Sequence, residues 1–115
     1  MTNQIPTSDA RVELLVWSGC PSHERAEGML RQALADIGRG EHPVLVRWIE
    51  SDEAAEAERF AGSPTFRLDG ADLVDPGQRF GLTCRLYTRD GRPSPLPSQE
   101  TLTDWLRAGI ALLGM

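Results

Sequence analysis

Cys20 is followed by Pro21, Ser22 and His23, and it stands where an apolar run from Arg11 to Trp17 gives way, through Ser18 and Gly19, to a segment of helical spacing. A cysteine at the N-terminus of a helix faces the unpaired N–H groups of the first turn and the positive end of the helix dipole, and both favour thiolate over thiol. Cysteines so placed titrate at about 3.5–7.5 instead of about 8.5. The thiolate is the form that attacks disulfide sulfur and that binds soft metals. His23, three residues on, occupies the position from which a side chain reaches back to the cap, as in a capping box, so it can pair with the thiolate. Each residue also has a plainer reading: Cys20 as a small apolar residue in a turn, His23 as an exposed helix residue without a role.

A reactive thiol needs a second sulfur to resolve it, from an outside thiol or from the same chain, and Cys84 is the only other cysteine. It alternates with Leu82 and Leu86, which suits membership of an apolar face. Topology keeps the other reading open. The third expected strand begins at the Cys20 end of the sheet, and the turn after it sends the fourth strand back to that end, so the segment carrying Cys84 starts nearby. A disulfide needs Cα atoms within about 7 Å.

The elements that must hold these residues are legible from periodicity and turn chemistry. The run R-V-E-L-L-V-W is nearly continuously apolar after Glu13, as in a central strand covered on both faces. Pro21 suits the first helical position, and Ala26, Met29, Leu30, Ala33, Leu34 and Ile37 recur at helical spacing until Gly38, which predicts a helix over 21–37. Val44 to Glu50 reads as a less central strand, with the charge of Arg47 inside its run. Ser51 can cap a short helix, with Asp52 and Glu53 in its first turn, that ends near Phe60. Thr65 to Leu68 and Ala71 to Val74 flank Asp69-Gly70, the dipeptide of a two-residue type I′ hairpin, whose register pairs Arg67 with Asp72 and Phe66 with Leu73. Leu102, Trp105, Leu106, Gly109, Leu112 and Leu113 form one stripe after the cap Ser98, and that final helix must dock on the sheet. Residues 75–97 read as a turn-rich insertion with a strand-like run from Leu82 to Thr88 and a second Asp-Gly at Asp90-Gly91.

Size and charge bound the rest. A chain of 115 residues has room for one domain, here 11–115 after a flexible N-terminus at 1–10. The net charge of −5 and the scattering of single arginines leave no basic stripe for nucleic acid. No run of about 18 apolar residues points to a membrane span, and residues 1–10 lack the pattern of a secretory signal, so the cytoplasm is the expected location. Two cysteines in that setting are expected to be thiols with chemistry, or buried apolar residues, and not a structural staple.

The order β-α-β-α-β-β-α, with Cys20-Pro21 at the first strand-to-helix junction and Gly62-Ser63-Pro64-Thr65 opening the third strand, resembles the thioredoxin-like superfamily. The stretch Gly81-Leu82-Thr83-Cys84-Arg85 is similar to that of small bacterial thioredoxin- or glutaredoxin-like proteins. The resemblance covers about Arg11 to Ile110 apart from the insertion. It implies an α/β fold with a four-stranded mixed sheet flanked by helices, and a cis Pro64 lying against Cys20. It also implies a ledge of Ser63, Pro64 and Thr65, with Pro21 and Ser22 beside the thiol, along which an extended substrate pairs. The chain departs from the family's C-x-x-C motif, because Cys20-Pro21-Ser22-His23 carries histidine in the second cysteine's place.

The expected activity is thiol-disulfide exchange through Cys20, with Cys84 or an external thiol resolving it, no cofactor, and a low-molecular-weight thiol or a protein disulfide as partner. Two alternatives stand beside it. One is a soft-metal-binding protein using Cys20, His23 and Cys84, short of the four ligands of a structural zinc site; His42 falls at the opposite end of the sheet. The other is a thioredoxin-like module that has lost catalysis and only binds.

Overall fold

The structure is a computed structural model that describes residues 10–112. The expectations for residues 1–9 and for Leu113 lie outside the described residues. The described residues form a mixed α/β fold with three helices and a four-stranded sheet of order β2-β1-β3-β4. The central strand β1 (Val12–Val16) is buried at every residue. It pairs parallel with β2 (Val44–Trp48) and antiparallel with β3 (Thr65–Leu68), which turns at Asp69-Gly70 into the short β4 (Ala71–Asp72). Both turn residues have positive φ, 55° at Asp69 and 87° at Gly70, as a type I′ turn requires. Arg67 pairs with Asp72, and the Leu73 N–H donates to the Phe66 carbonyl, so the register follows the sequence.

Alternation along the strands gives the sheet two different faces. Val12, Leu14 and Val16 of β1 join Phe66 and Leu68 of β3 on one face, covered by α1 (His23–Asp36) and α3 (Gln99–Leu112). Ala26, Leu30, Ala33 and Leu34 of α1 meet Leu102, Leu106 and Ile110 of α3 in that core. The stripe on α3 ends sooner than its spacing predicts, since Leu112 is exposed. On the other face Leu15 joins Ile49, Phe60 and Ala55 of the short helix α2 (Asp52–Ala57) in a smaller apolar cluster. Ser51 and Ser98 act as caps: each hydroxyl accepts a hydrogen bond from the N–H three residues on, at 3.0 and 3.1 Å.

Beside this smaller cluster runs a chain of ion pairs. Arg11 meets Glu13, Glu13 meets Arg47, Arg47 meets Glu58, Glu58 meets Arg67, Arg67 meets Asp72, and Asp72 meets Arg85. Burial of Glu13, Arg67, Asp72 and Arg85 is tolerable because each charge faces one of opposite sign, and Arg67 and Arg85 also donate to main-chain carbonyls. Arg47 holds Glu58 below the usual carboxylate range by its hydrogen bond, against burial, which pushes the other way.

The insertion differs from its expected form. Its regular part is a hairpin, β5 (Tyr87–Arg89) and β6 (Arg92–Ser94), turning at Asp90-Gly91 with φ of 53° and 77°. The strand-like run from Leu82 therefore yields a strand only from Tyr87, and before it the backbone makes an isolated bridge in which Cys84 pairs with Ser63.

Candidate functional site

The helix after Cys20 begins at His23, two residues later than the spacing predicts, and Pro21 and Ser22 form a turn ahead of it. Ser22 has helical dihedrals and makes no side-chain capping bond. Its hydroxyl and its N–H lie near Cys20 instead and favour the charged form of the sulfur. The Cys20 N–H donates to the Trp17 carbonyl at 3.0 Å, closing the turn that puts the sulfur under the chain, where the residue has no exposed surface.

Three segments meet at that sulfur. The thiol donates to the Ser63 carbonyl at 3.5 Å. The Ser63 hydroxyl is buried without a hydrogen-bond partner, close enough to favour the charged form of Cys20. The third segment is Thr83–Arg85, where the Cys84 thiol lies close enough to Cys20 for each to shift the other's titration. Burial opposes a charge on Cys20, but the hydrogen bonds from Cys84, Ser22 and Ser63 outweigh it and hold its pKa below the usual thiol range. The same bond, burial and the neighbouring charge push the Cys84 thiol up to about 11. Of the two thiols, Cys20 is thus the one that loses its proton more readily. Both cysteines are free, Cys20 buried and Cys84 exposed.

The segment that carries Cys84 is fixed from two sides. The Ser63 N–H donates to the Thr83 carbonyl at 2.8 Å, and the Arg85 N–H donates to the Ser63 carbonyl at 2.9 Å. Gly62 permits this approach, since at its φ of +130° a Cβ would lie 2.9 Å from the Arg85 nitrogen. On the far side the Arg85 guanidinium is buried. It donates to Asp72 at 3.2 Å, to the Thr65 hydroxyl at 3.2 Å, and to the carbonyls of Val74 and Asp75 at 2.9 and 3.2 Å. The Tyr87 hydroxyl donates to the Pro64 carbonyl at 2.6 Å. The Ser63–Pro64 peptide bond is cis.

No family model, no curated protein and no solved structure matches this chain. The site therefore stands on its geometry alone.

That geometry revises several expectations. His23 is not among the groups that hydrogen-bond Cys20; its ring lies edge-on to Trp48, centroids 5.1 Å apart, and its buried Nδ1 has no partner. As the first residue of the helix proper, it stands two positions before the place from which a side chain reaches back to the cap. Ser63, Pro64 and Thr65 are buried, and the main-chain groups of Ser63 are paired with Thr83 and Arg85, so the expected substrate ledge is filled by the chain itself. Leu82, Cys84 and Leu86 do not form one buried apolar face: Leu82 packs on the smaller cluster, Cys84 and Leu86 are exposed, and the buried residues are Arg85 and Tyr87. Arg85 is the residue that sequence reasoning missed. Its signal was a charge inside an otherwise uncharged run, the same signal that Glu13 and Arg47 carry.

Among the described residues no three His, Cys, Asp or Glu side chains are gathered to hold a metal. His42 bonds the Ala10 carbonyl at 2.6 Å, beside the start of β1 and so away from Cys20. Among the described residues no helix is long and apolar enough to cross a membrane.

Proposed function

We propose that this protein is a thiol-disulfide oxidoreductase with a thioredoxin-like fold, in which Cys20 is the thiolate and Cys84 the second sulfur. The observation that carries the reading is the pairing of the Thr83–Arg85 main chain with Ser63, which brings Cys84 to the buried Cys20, whose pKa lies below and that of Cys84 above the usual thiol value. A thiol pair so arranged reduces an incoming disulfide and ends as the Cys20–Cys84 disulfide: two S–H groups are lost, one S–S bond forms within the chain, and the substrate's two sulfurs leave as thiols. The order β2-β1-β3-β4, with the cysteine after the central strand and Ser63-Pro64 opening the third, supports the thioredoxin-like assignment. A reducing compartment such as the cytoplasm suits a couple that works from the dithiol form.

The reading is tested with a chromogenic aromatic disulfide under single-turnover conditions. The parent releases two thiol equivalents per chain, whereas C20S and C84S each release at most one, because neither can close the internal disulfide. Release of two equivalents by C20S would refute the assignment.

A further inference from the structure

We propose that an outside thiol exchanges with this couple at the sulfur of Cys84, and that the natural exchange partner is a low-molecular-weight thiol. The proposal rests on the reading of Cys20 and Cys84 as a redox couple and adds which sulfur meets the outside and what can reach it.

Access argues first. Cys20 has no exposed surface, lying beneath Ser63 and the segment Thr83–Arg85, whereas Cys84 is exposed. An attacking thiolate must approach a disulfide along the S–S axis, so the sulfur with open space behind it is the one attacked. The fate of the electron pair argues the same way. Attack at Cys84 expels Cys20, and the Ser22 N–H, the Ser22 hydroxyl and the otherwise unpartnered Ser63 hydroxyl stand ready to receive a thiolate there. The better-stabilised thiolate is the better leaving group.

The size of the partner follows from what surrounds the pair. A polypeptide docking beside Cys20 needs main-chain donors and acceptors to pair with, and those of Ser63 are already bonded to Thr83 and Arg85. Displacing that segment means breaking the buried contacts of Arg85 with Asp72, Thr65, Val74 and Asp75. A small thiol needs none of these groups and meets Cys84 at the surface.

The exchange balances as two displacements. The thiolate RS⁻ attacks the Cys84 sulfur, an R–S–S–Cys84 bond forms, the Cys20–Cys84 bond breaks, and Cys20 takes the electron pair. A second RS⁻ attacks the R sulfur, giving RSSR, and Cys84 leaves as a thiolate and takes up a proton. Two RSH are oxidised and one internal disulfide is reduced.

The test uses the parent protein, oxidised with glutathione disulfide until the intact mass falls by two hydrogens, then mixed with limiting glutathione, quenched with N-ethylmaleimide and mapped by peptide fragmentation. The expected result is glutathione on Cys84, in about tenfold or greater excess over glutathione on Cys20. Glutathione chiefly on Cys20 overturns the proposal while leaving the couple intact. Failure to form the internal disulfide overturns the couple, and the proposal with it. In a second measurement the dithiol form reduces glutathione disulfide at least about tenfold faster than the disulfides of insulin. Equal rates overturn the size restriction.

Discussion

The two faces of the central sheet are built by different physics. Under α1 and α3 the strands present Val12, Leu14, Val16, Phe66 and Leu68, and what holds that face is apolar area removed from water. Towards α2 the same strands present Glu13, Arg47 and Arg67, which with Glu58, Asp72 and Arg85 form a chain of alternating charges beside a small apolar cluster. Apolar burial is non-directional, so the first face fixes the fold without fixing any one side chain's position to a fraction of an ångström. Charged hydrogen bonds are directional, and the second face ends at Arg85, one residue from Cys84. The difference suggests a division of labour, with one face supplying stability and the other supplying registration of the insertion against Cys20.

The largest effect separating them belongs to the apolar face. Leu106 is fully buried between α1, α3 and the sheet, and Leu106→Ala should cost about 2–5 kcal/mol through lost transfer energy and an unfilled cavity. Urea unfolding measures the cost. Below the point at which the variant unfolds, its Cys20–Cys84 equilibrium in a glutathione redox buffer should match the parent's, because nothing that touches the thiols has changed. A shifted equilibrium in the folded variant would show that the two faces are not separable.

The counterpart on the charged face is Asp72→Asn. Asp72 accepts Arg67 on one oxygen at 2.7 Å and Arg85 on the other at 3.2 Å, so the amide removes the shared charge and turns one acceptor into a donor. The stability lost should be about 1–3 kcal/mol. This is less than the about 3–5 kcal/mol of a fully abandoned buried charge, because the carbonyls of Glu58, Val74 and Asp75 still receive the two guanidinium groups. Unlike Leu106→Ala, it should also disfavour the internal disulfide. If about 1 kcal/mol of the loss is felt at Cys84, the redox equilibrium moves about fivefold towards the dithiol. An unchanged equilibrium in the folded variant would remove Arg85 from the positioning of Cys84.

The same contrast explains what the sequence disclosed. Periodicity and turn dipeptides act over a few residues, so β1, α1, the Asp69-Gly70 hairpin and the Ser51 and Ser98 caps could be read directly. Partners far apart in sequence could not. Within the charge chain the pair foreseen is Arg67 with Asp72, which the hairpin register sets opposite each other; Glu13 meets Arg47 across two strands, and Arg85 reaches Asp72 from the insertion. At the site, the approach of Cys84 followed from topology, while its outward alternation with Leu86 did not, because the residue that the fold buries there is a paired arginine. His23 was placed by helical spacing from Cys20, and a start two residues later turned its ring to Trp48.

Titration gives a smaller and more selective effect. Arg47 depresses the pKa of Glu58, so Glu58 contributes stability that is present above its unfolded value of about 4.3 and lost as the pH falls through its lower folded value. Glu58→Gln should therefore be less stable than the parent at pH 7, by less than about 1 kcal/mol because the pair is partly exposed. The difference should close in acid, as the parent's Glu58 becomes protonated and loses the same charge. Urea midpoints compared from neutral to acid pH check this. A gap that stays constant with pH would mean that Glu58 acts by shape and not by charge.

The smallest expected effect is an ion pair with the same kinds of partner and none of the setting. Glu27 and Arg31 meet at 2.8 Å across one turn of α1, with side chains 38% and 51% exposed. Their order, acid before base at i and i+4, is the favourable one, and such pairs add about 0.2–0.5 kcal/mol in water. Glu27→Gln should change the unfolding free energy by no more than that, and added salt should erase the change, since exposed charges are screened and the pair at Asp72 is sheltered. The comparison turns on this variant, because its pair is as short as those on the charged face. Were Glu27→Gln to cost as much as Asp72→Asn, the strength of the charged face would not come from burial and shared hydrogen bonds, and its role in holding Cys84 would lose its physical basis.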